Sequence, residues 1–393
     1  MLNTAKVFKK LLSFYAGFIK PHKIWHLPPK VEVLIFDREG SQILMQLLQS
    51  YKVSVLDIRR ETINIPCLMR SVFNIDFWHG RAMQSYIQSY ILLSSPKIVI
   101  TFIDNNYLFY EISAKFPFIK TIMIQNGLRG ILGDIFGTTN KDDSFYVDYM
   151  FVFGEAIRTR YSELVKGEII PIGSFRNNLK PISKHYTKNS CLFISQWEIK
   201  ISSGVNYVDG GGISVTWDEF YSAEAKVLEF LDNWCFGNGM QLNIAGRSVP
   251  HKDQEKMFFA QYLTKCCWKF LDKKDTDDIY SEIDNAQIVV SIDSTVSLES
   301  LSRNKRTAIF SNREHFIKST AQRFGWPLDL PVAGSFWTNS IDEIDFQNIM
   351  NYLQNISEEA WITESEKHKT DLIQYDPNNS RISNLLNSIL GRG

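Results

Sequence analysis

No apolar run in this chain approaches the roughly 20 residues needed to cross a bilayer, and no segment reads as a secretory signal peptide with a cleavage site. The chain is expected to work in the cytoplasm. An excess of charge of either sign is also missing. Basic and acidic side chains number 43 each, which argues against a nucleic-acid partner, since such proteins carry a strong basic surplus. Cysteine is scarce and odd in number: Cys67, Cys191, Cys235, Cys266 and Cys267. Their spacing fits no zinc pattern, and the adjacent pair suits neither a metal nor a disulfide. Reduced, mostly buried thiols are the expectation. The histidines lack ligand spacing, so no metal and no cofactor is expected. No biased tract points to disorder.

What is present is a soluble globular composition, 44% apolar and 22% charged, over 393 residues. That length exceeds one ordinary core and favours two domains. Strand signals in the first half fall at Val31–Phe36, Val53–Ile58, Lys97–Phe102, Thr121–Gln125 and Tyr149–Phe153. Helical patterns lie between them at Gln42–Ser50, Arg81–Leu93 and Tyr107–Lys115. This alternation predicts βαβ units and a parallel sheet. A polar, proline-bearing stretch after Gly173-Ser174 marks a crossing between domains. The pattern then restarts, with strands at Cys191–Ser195, Gln241–Ala245, Trp268–Leu271, Gln287–Ile292 and Arg306–Phe310. Helices are expected at Trp217–Trp234, Gln254–Lys265, Asp277–Asn285, Val296–Arg303, Ile341–Asn355 and Glu358–Lys367. Gly204–Gly212 reads as a loop insertion. The predicted organisation is a leader over 1–30, Rossmann-like domains over 31–180 and 190–370, and a tail over 371–393. The class is α/β, with two parallel sheets facing across a cleft.

The sharpest motif is Ala286 to Leu301, an apolar run that ends in Asp293-Ser294-Thr295 and continues as a helix carrying Glu299. A helix N-terminus at the carboxyl end of a parallel strand suits a phosphate. Glu299 lies about one turn further on, within reach of a sugar hydroxyl. The competing reading is that Ser294 or Thr295 only caps the helix and Glu299 is solvated. In the first half, Ile124-Gln125-Asn126-Gly127-Leu128-Arg129-Gly130 follows an apolar strand. Gly127 lets the backbone approach a ligand, Asn126 is polar, and Arg129 can face an anion. A plain turn with a solvated arginine explains the same residues.

These two segments, with the basic turn Arg303-Asn304-Lys305-Arg306 and the strand after it, resemble bacterial surface-polysaccharide glycosyltransferases of GT-B type. Those proteins are related to Kdo-type capsule and O-antigen transferases, and more distantly to teichoic acid glycerophosphotransferases. The resemblance implies that 31–180 is the acceptor domain and 190–370 the nucleotide-sugar donor domain, and that Ser294, Thr295 and Glu299 contact the donor.

Other candidates rest on position alone. Asp37 and Glu39 follow the first strand and offer the base that an inverting transferase needs; Asp104, after the third strand, is their rival. The first strand ends in Asp37-Arg38-Glu39-Gly40, so the Gly-x-Gly-x-x-Gly dinucleotide fingerprint is missing there. Arg247, after a second-half strand, is a candidate for the donor phosphates or a surface ion pair. Ser195 follows the first second-half strand, where proteins of GT-B type touch donor or acceptor, so the resemblance makes it a candidate. Asp275-Thr276-Asp277 has the spacing of a metal-dependent transferase, but its place in a charged turn reads as helix capping. The first thirty residues hold six lysines and no acid, interleaved with aromatic and aliphatic side chains. Such a leader can lie on an anionic membrane or dock on the first domain.

The function expected is transfer of a hexose or ulosonic sugar, without a metal, from a nucleotide donor to a growing capsule, O-antigen or lipopolysaccharide glycan. The acceptor is expected to be a glycan on a lipid carrier, at the inner face of the membrane. Alternatives of the same form are a CDP-glycerol-type glycerophosphotransferase, a nucleotide-sugar epimerase and a non-catalytic scaffold.

Overall fold

A computed structural model of the chain describes residues 21–59, 61–131, 135–138, 145–200, 207–208, 214–247, 250–271, 279–317 and 319–392. The first twenty residues of the expected leader, most of the Gly204–Gly212 insertion and the Asp275–Asp277 pair lie outside these residues.

The first lobe contains β1 (His22–Ile24), β2 (Val33–Phe36), β3 (Val53–Leu56), β4 (Thr62–Asn64), β5 (Ile98–Thr101), β6 (Lys120–Ile124), β7 (Phe145–Val152) and β8 (Val165–Pro171). Six of these form a wholly parallel sheet in the order β3-β2-β5-β6-β7-β8. β1 and β4 pair separately. The second lobe contains β9 (Ser190–Ile194), β10 (Tyr207–Val208), β11 (Ser214–Val215), β12 (Gln241–Ala245), β13 (Trp268–Leu271), β14 (Ile288–Ser291), β15 (Arg306–Phe310) and β16 (Trp337–Thr338). Its main sheet is also parallel, in the order β13-β12-β9-β14-β15-β16.

The central strands β2, β5, β9 and β14 are buried at every residue. That is why they read as largely apolar runs without polar alternation: helices cover both faces of each sheet. The helix Thr295–Ser302 begins where the sequence places it, with Ser294 as N-cap accepting the Val296 N–H. The predicted helix over Tyr107–Lys115 instead divides into Tyr107–Tyr110 and Ile112–Lys115.

The chain end returns to the first lobe. Helix Glu358–Leu372 meets helices Glu155–Ser162 and Thr295–Ser302. The last helix, Ser380–Leu390, buries Ile382, Leu386 and Leu390 against Val33, Ile35, Ile98 and Ile122. The helix Ser380–Leu390, within the expected tail, is therefore a wall of the first lobe's core. The return crosses Gly173 closely. Gly173 has φ of 83°, and a Cβ there would lie 1.9 Å from the Gln374 carbonyl oxygen, so only glycine fits.

Candidate active site

Ligands in open parallel sheets bind beyond the strand carboxyl ends, where the strand order reverses. In the second lobe that point lies between β9 and β14. The residues that emerge there are Ser195-Gln196 and Asp293-Ser294. The Asp293 N–H donates to Gln196 Oε1 at 3.3 Å. Both residues line a cavity of about 430 Å³ between the lobes. Its other walls include Arg129 from the first lobe and Phe220, Phe324 and Trp326 from the second.

Asp293 is held by a residue that the sequence patterns did not single out. Arg313 Nε donates to Asp293 Oδ2 at 2.7 Å, and its terminal nitrogens fork onto Glu224 at 2.6 and 2.9 Å. The guanidinium stacks on Phe220, 3.9 Å from the ring centre. Arg313 and Glu224 are both fully buried. Burial works against the arginine charge, but Asp293 and Glu224 overcome it and hold its pKa above the ordinary value. Burial pushes the Glu224 carboxyl up, against the pull of Arg313. The other Asp293 oxygen, Oδ1, is buried without a hydrogen-bond partner. An unmatched carboxylate oxygen beside a cavity has capacity for a ligand hydroxyl or N–H.

The first lobe meets this corner directly. Leu128 N–H donates to Thr295 Oγ1 at 3.0 Å. Beside it, Asp104, Asn126 and Arg129 form one network. Arg129 Nε donates to Asp104 Oδ2 at 2.8 Å, and its Nη2 bonds both Asp104 Oδ1 and Asn126 Oδ1. The Tyr161 hydroxyl adds a 2.6 Å bond to Asp104 Oδ2. Gly127 supplies its carbonyl to the Gln125 side chain at 2.9 Å. Arg129 is thus neither a solvated turn residue nor a free anion receptor; it is bound to a buried carboxylate.

The remaining candidates stand apart from the cavity wall. Asp37, at the first lobe's reversal between β2 and β5, has φ of 80° and takes two bonds from Arg59 Nε, at 3.0 and 3.1 Å. Arg59 also pairs with Glu39, whose side chain is largely exposed. Ser195 turns inward, donating to Glu255 Oε1 at 2.5 Å and accepting the Trp197 N–H. Arg247 lies half exposed, paired with Glu198 at 2.7 Å and donating to the Gln196 carbonyl at 3.0 Å.

Glu299 does not reach the cavity. It lies in the seam between lobes, where Ser174 donates to Oε1 at 2.5 Å and Tyr280 to Oε2 at 3.1 Å. The adjoining Arg303 ties Asp284 to Asn177 and to the Lys180 and Pro181 carbonyls. Glycine and serine at 173–174 thus belong to this junction. Burial pushes the Glu299 carboxyl above its usual range, opposed by the Ser174 and Tyr280 bonds and by Arg176 and Arg303. A folded pKa above the unfolded one means that stability is present at acid pH and is lost as pH rises through the folded value. Glu299→Gln is therefore expected to lessen the decline in unfolding free energy between mildly acidic and mildly alkaline buffer. Denaturant titrations would read it, and an unchanged decline would show that this carboxyl does not hold its proton.

Among the described residues, no group of three or more His, Cys, Asp or Glu side chains could hold a metal ion. Cys67, Cys191, Cys235 and Cys266 are buried and Cys267 is exposed.

Solved structures share the architecture. A "putative UDP-N-acetylglucosamine 2-epimerase" from Listeria monocytogenes matches with TM-score 0.54 at 12% identity, covering 93% of this chain and 98% of its own. The UDP-GlcNAc 2-epimerase of Methanocaldococcus jannaschii matches with TM-score 0.50 at 11% identity, covering 91% and 99%. MnaA of S. aureus, solved with UDP, gives TM-score 0.50 at 12% identity, covering 92% and 97%. No curated protein matches the chain in sequence. The family model described as "putative O-antigen biosynthesis protein" matches residues 122–390. With more than half of its length inside that model and two facing parallel-sheet lobes, the chain belongs to this O-antigen biosynthesis family, on the GT-B fold of surface-polysaccharide glycosyltransferases.

Proposed function

We propose that the protein is a glycosyltransferase that takes a sugar from a nucleotide-sugar donor and adds it to a growing surface polysaccharide. The observation that carries this reading is the inter-lobe cavity, with the unmatched Asp293 oxygen at its wall and the N-terminus of helix Thr295–Ser302 beside it. The helix end favours the donor phosphates. Asp293 Oδ1 accepts a donor hydroxyl, and Phe220, Phe324 and Trp326 supply faces for a base or a sugar ring. Structures of the same fold that act on UDP-GlcNAc or hold UDP support a nucleotide-sugar ligand.

In the transfer, the acceptor hydroxyl attacks the anomeric carbon while the bond from that carbon to the phosphate oxygen breaks. The leaving nucleotide takes the electron pair, and a carboxylate takes the hydroxyl proton. Of the three carboxylates considered for this, Asp37 and Asp104 are buried and gripped by arginines. Glu39 also pairs with Arg59 and stands away from the cavity wall, but it is the one open to solvent, and we assign it the base for an acceptor that enters from that side. The six lysines of the first thirty residues support a position near an anionic membrane face, where a lipid-linked acceptor is presented.

Thermal melts with CMP, CDP, UDP and GDP test the donor site. A nucleotide at 100 times its dissociation constant stabilises by about 2.7 kcal/mol, or roughly 3 °C for a protein of this size. Asp293→Asn is expected to remove at least half of that shift. No response to any nucleotide would end the proposal. A shift without turnover would favour a scaffold, a reading that the engagement of both Glu299 oxygens by Ser174 and Tyr280 also favours.

A further inference from the structure

Away from the cleft, the first lobe carries an unpartnered apolar face. Trp25, Leu27, Met69, Phe73, Ile75 and Trp78 are exposed, Phe73 at 90% and Ile75 and Trp78 at 71%. Local structure brings them together. β1 runs parallel to β4, and Asn64 Nδ2 donates to the His26 carbonyl at 3.0 Å. Trp25 and Leu27 therefore flank the start of helix Ile65–Val72, whose N-cap is Asn64. Met69 and Phe73, four residues apart, share one helical side. The Trp78 indole N–H donates to the Val72 carbonyl at 2.9 Å, so the short helix Ile75–Trp78 turns its tryptophan back to the end of the first helix. Large contiguous apolar patches are rare on free monomers and mark interaction sites.

The charges around this face have one sign in excess. Lys23, Lys30, Arg70 and Arg81 lie in the same segments. Asp76 sits 3.9 Å from Lys115, Arg81 sits 3.9 Å from Glu111, and Glu61, just before β4, pairs with Arg38, which leaves Lys30 and Arg70 as the surplus. Exposed tryptophans favour the headgroup level of a bilayer, and basic side chains favour its anionic lipids. The cores of protein interfaces, by contrast, are depleted in lysine. We propose that this face seats on an anionic lipid bilayer, with Phe73 and Trp78 entering the boundary between headgroups and acyl chains. The inference goes beyond the transferase reading and stands without it, because lipid binding needs no donor.

Flotation of the full chain with vesicles of phosphatidylcholine, alone or mixed with phosphatidylglycerol, tests it. The wild-type chain should float with the mixed vesicles. Phe73→Ser and Trp78→Ser should each weaken that binding about tenfold, the loss expected for one large apolar side chain. Their melting temperatures should stay at the wild-type value, since both side chains are exposed. Arg70→Glu with Arg81→Glu should weaken binding to the mixed vesicles and leave the neutral ones unaffected. Wild-type protein that stays unbound, or a Phe73→Ser/Trp78→Ser variant that floats like wild type, overturns the proposal. So does a dimer, seen by light scattering, that the double variant dissociates without change in flotation; the face would then belong to a second copy of the chain.

Discussion

Arg313→Met is expected to lower the melting temperature by about 4–6 °C, because breaking a buried ion pair from one side costs about 3–5 kcal/mol. The methionine fills the space of the arginine stem but leaves Glu224, fully buried, with no cation. Asp293 loses its 2.7 Å partner as well. The Glu224 carboxyl, already pushed up by burial, would then take a proton to stay inside, and this costs free energy at neutral pH. The double variant Arg313→Met/Glu224→Leu should recover most of the loss, since apolar side chains of similar volume replace buried ion pairs at little cost. A single-variant drop below about 2 °C would mean that water reaches Glu224 and that the triad does not fix Asp293. Donor binding should fall in both variants, because Asp293 loses its orientation even where the fold recovers.

The triad also marks where sequence reading stops. Strands such as β14 were legible because a run buried on both faces needs an unbroken apolar string, and Ile288–Ser291 supplies one. The Asp293-Ser294-Thr295 corner was legible because a strand end, a capping residue and a helix start coincide there. Glu224 and Arg313 were not, because pairing is a long-range event: 89 residues separate them. A trace exists in each. Glu224 interrupts the buried side Tyr221, Leu228, Leu231 and Cys235 of helix Trp217–Asn238, and a carboxylate in an apolar stripe demands a partner. Arg313 follows β15 by three residues, at the strand ends where ligand sites form. Glu299 shows the opposite case. Its spacing from the corner pointed to a ligand, yet Ser174, from the other lobe, occupies it. Only the packing of the two lobes against each other decides that. The final helix escaped notice for a similar reason: Ile382, Leu386 and Leu390 gain meaning only beside a sheet more than 200 residues earlier in the chain.

Arg129→Ala should be comparably damaging, and its consequences can be divided. Asp104 is fully buried, and without the guanidinium it keeps the Tyr161 hydroxyl and a 3.4 Å contact from the Asn126 N–H. Losing the cation should again cost about 3–5 kcal/mol. Arg129→Lys should fall between, because an ammonium cannot fork onto Asp104 and Asn126 together. Arg129 also walls the inter-lobe cavity from the first lobe, so stability and ligand binding are expected to change at once in either single variant. Arg129→Leu with Asp104→Asn separates them, since it removes both charges and keeps a hydrogen-bonding side chain beside Tyr161. If the melting temperature recovers while the nucleotide-induced shift stays absent, Arg129 contacts the donor as well as holding the loop. If both recover, Arg129 serves the fold alone, and the anionic end of the donor is met entirely by the second lobe, at the start of helix Thr295–Ser302.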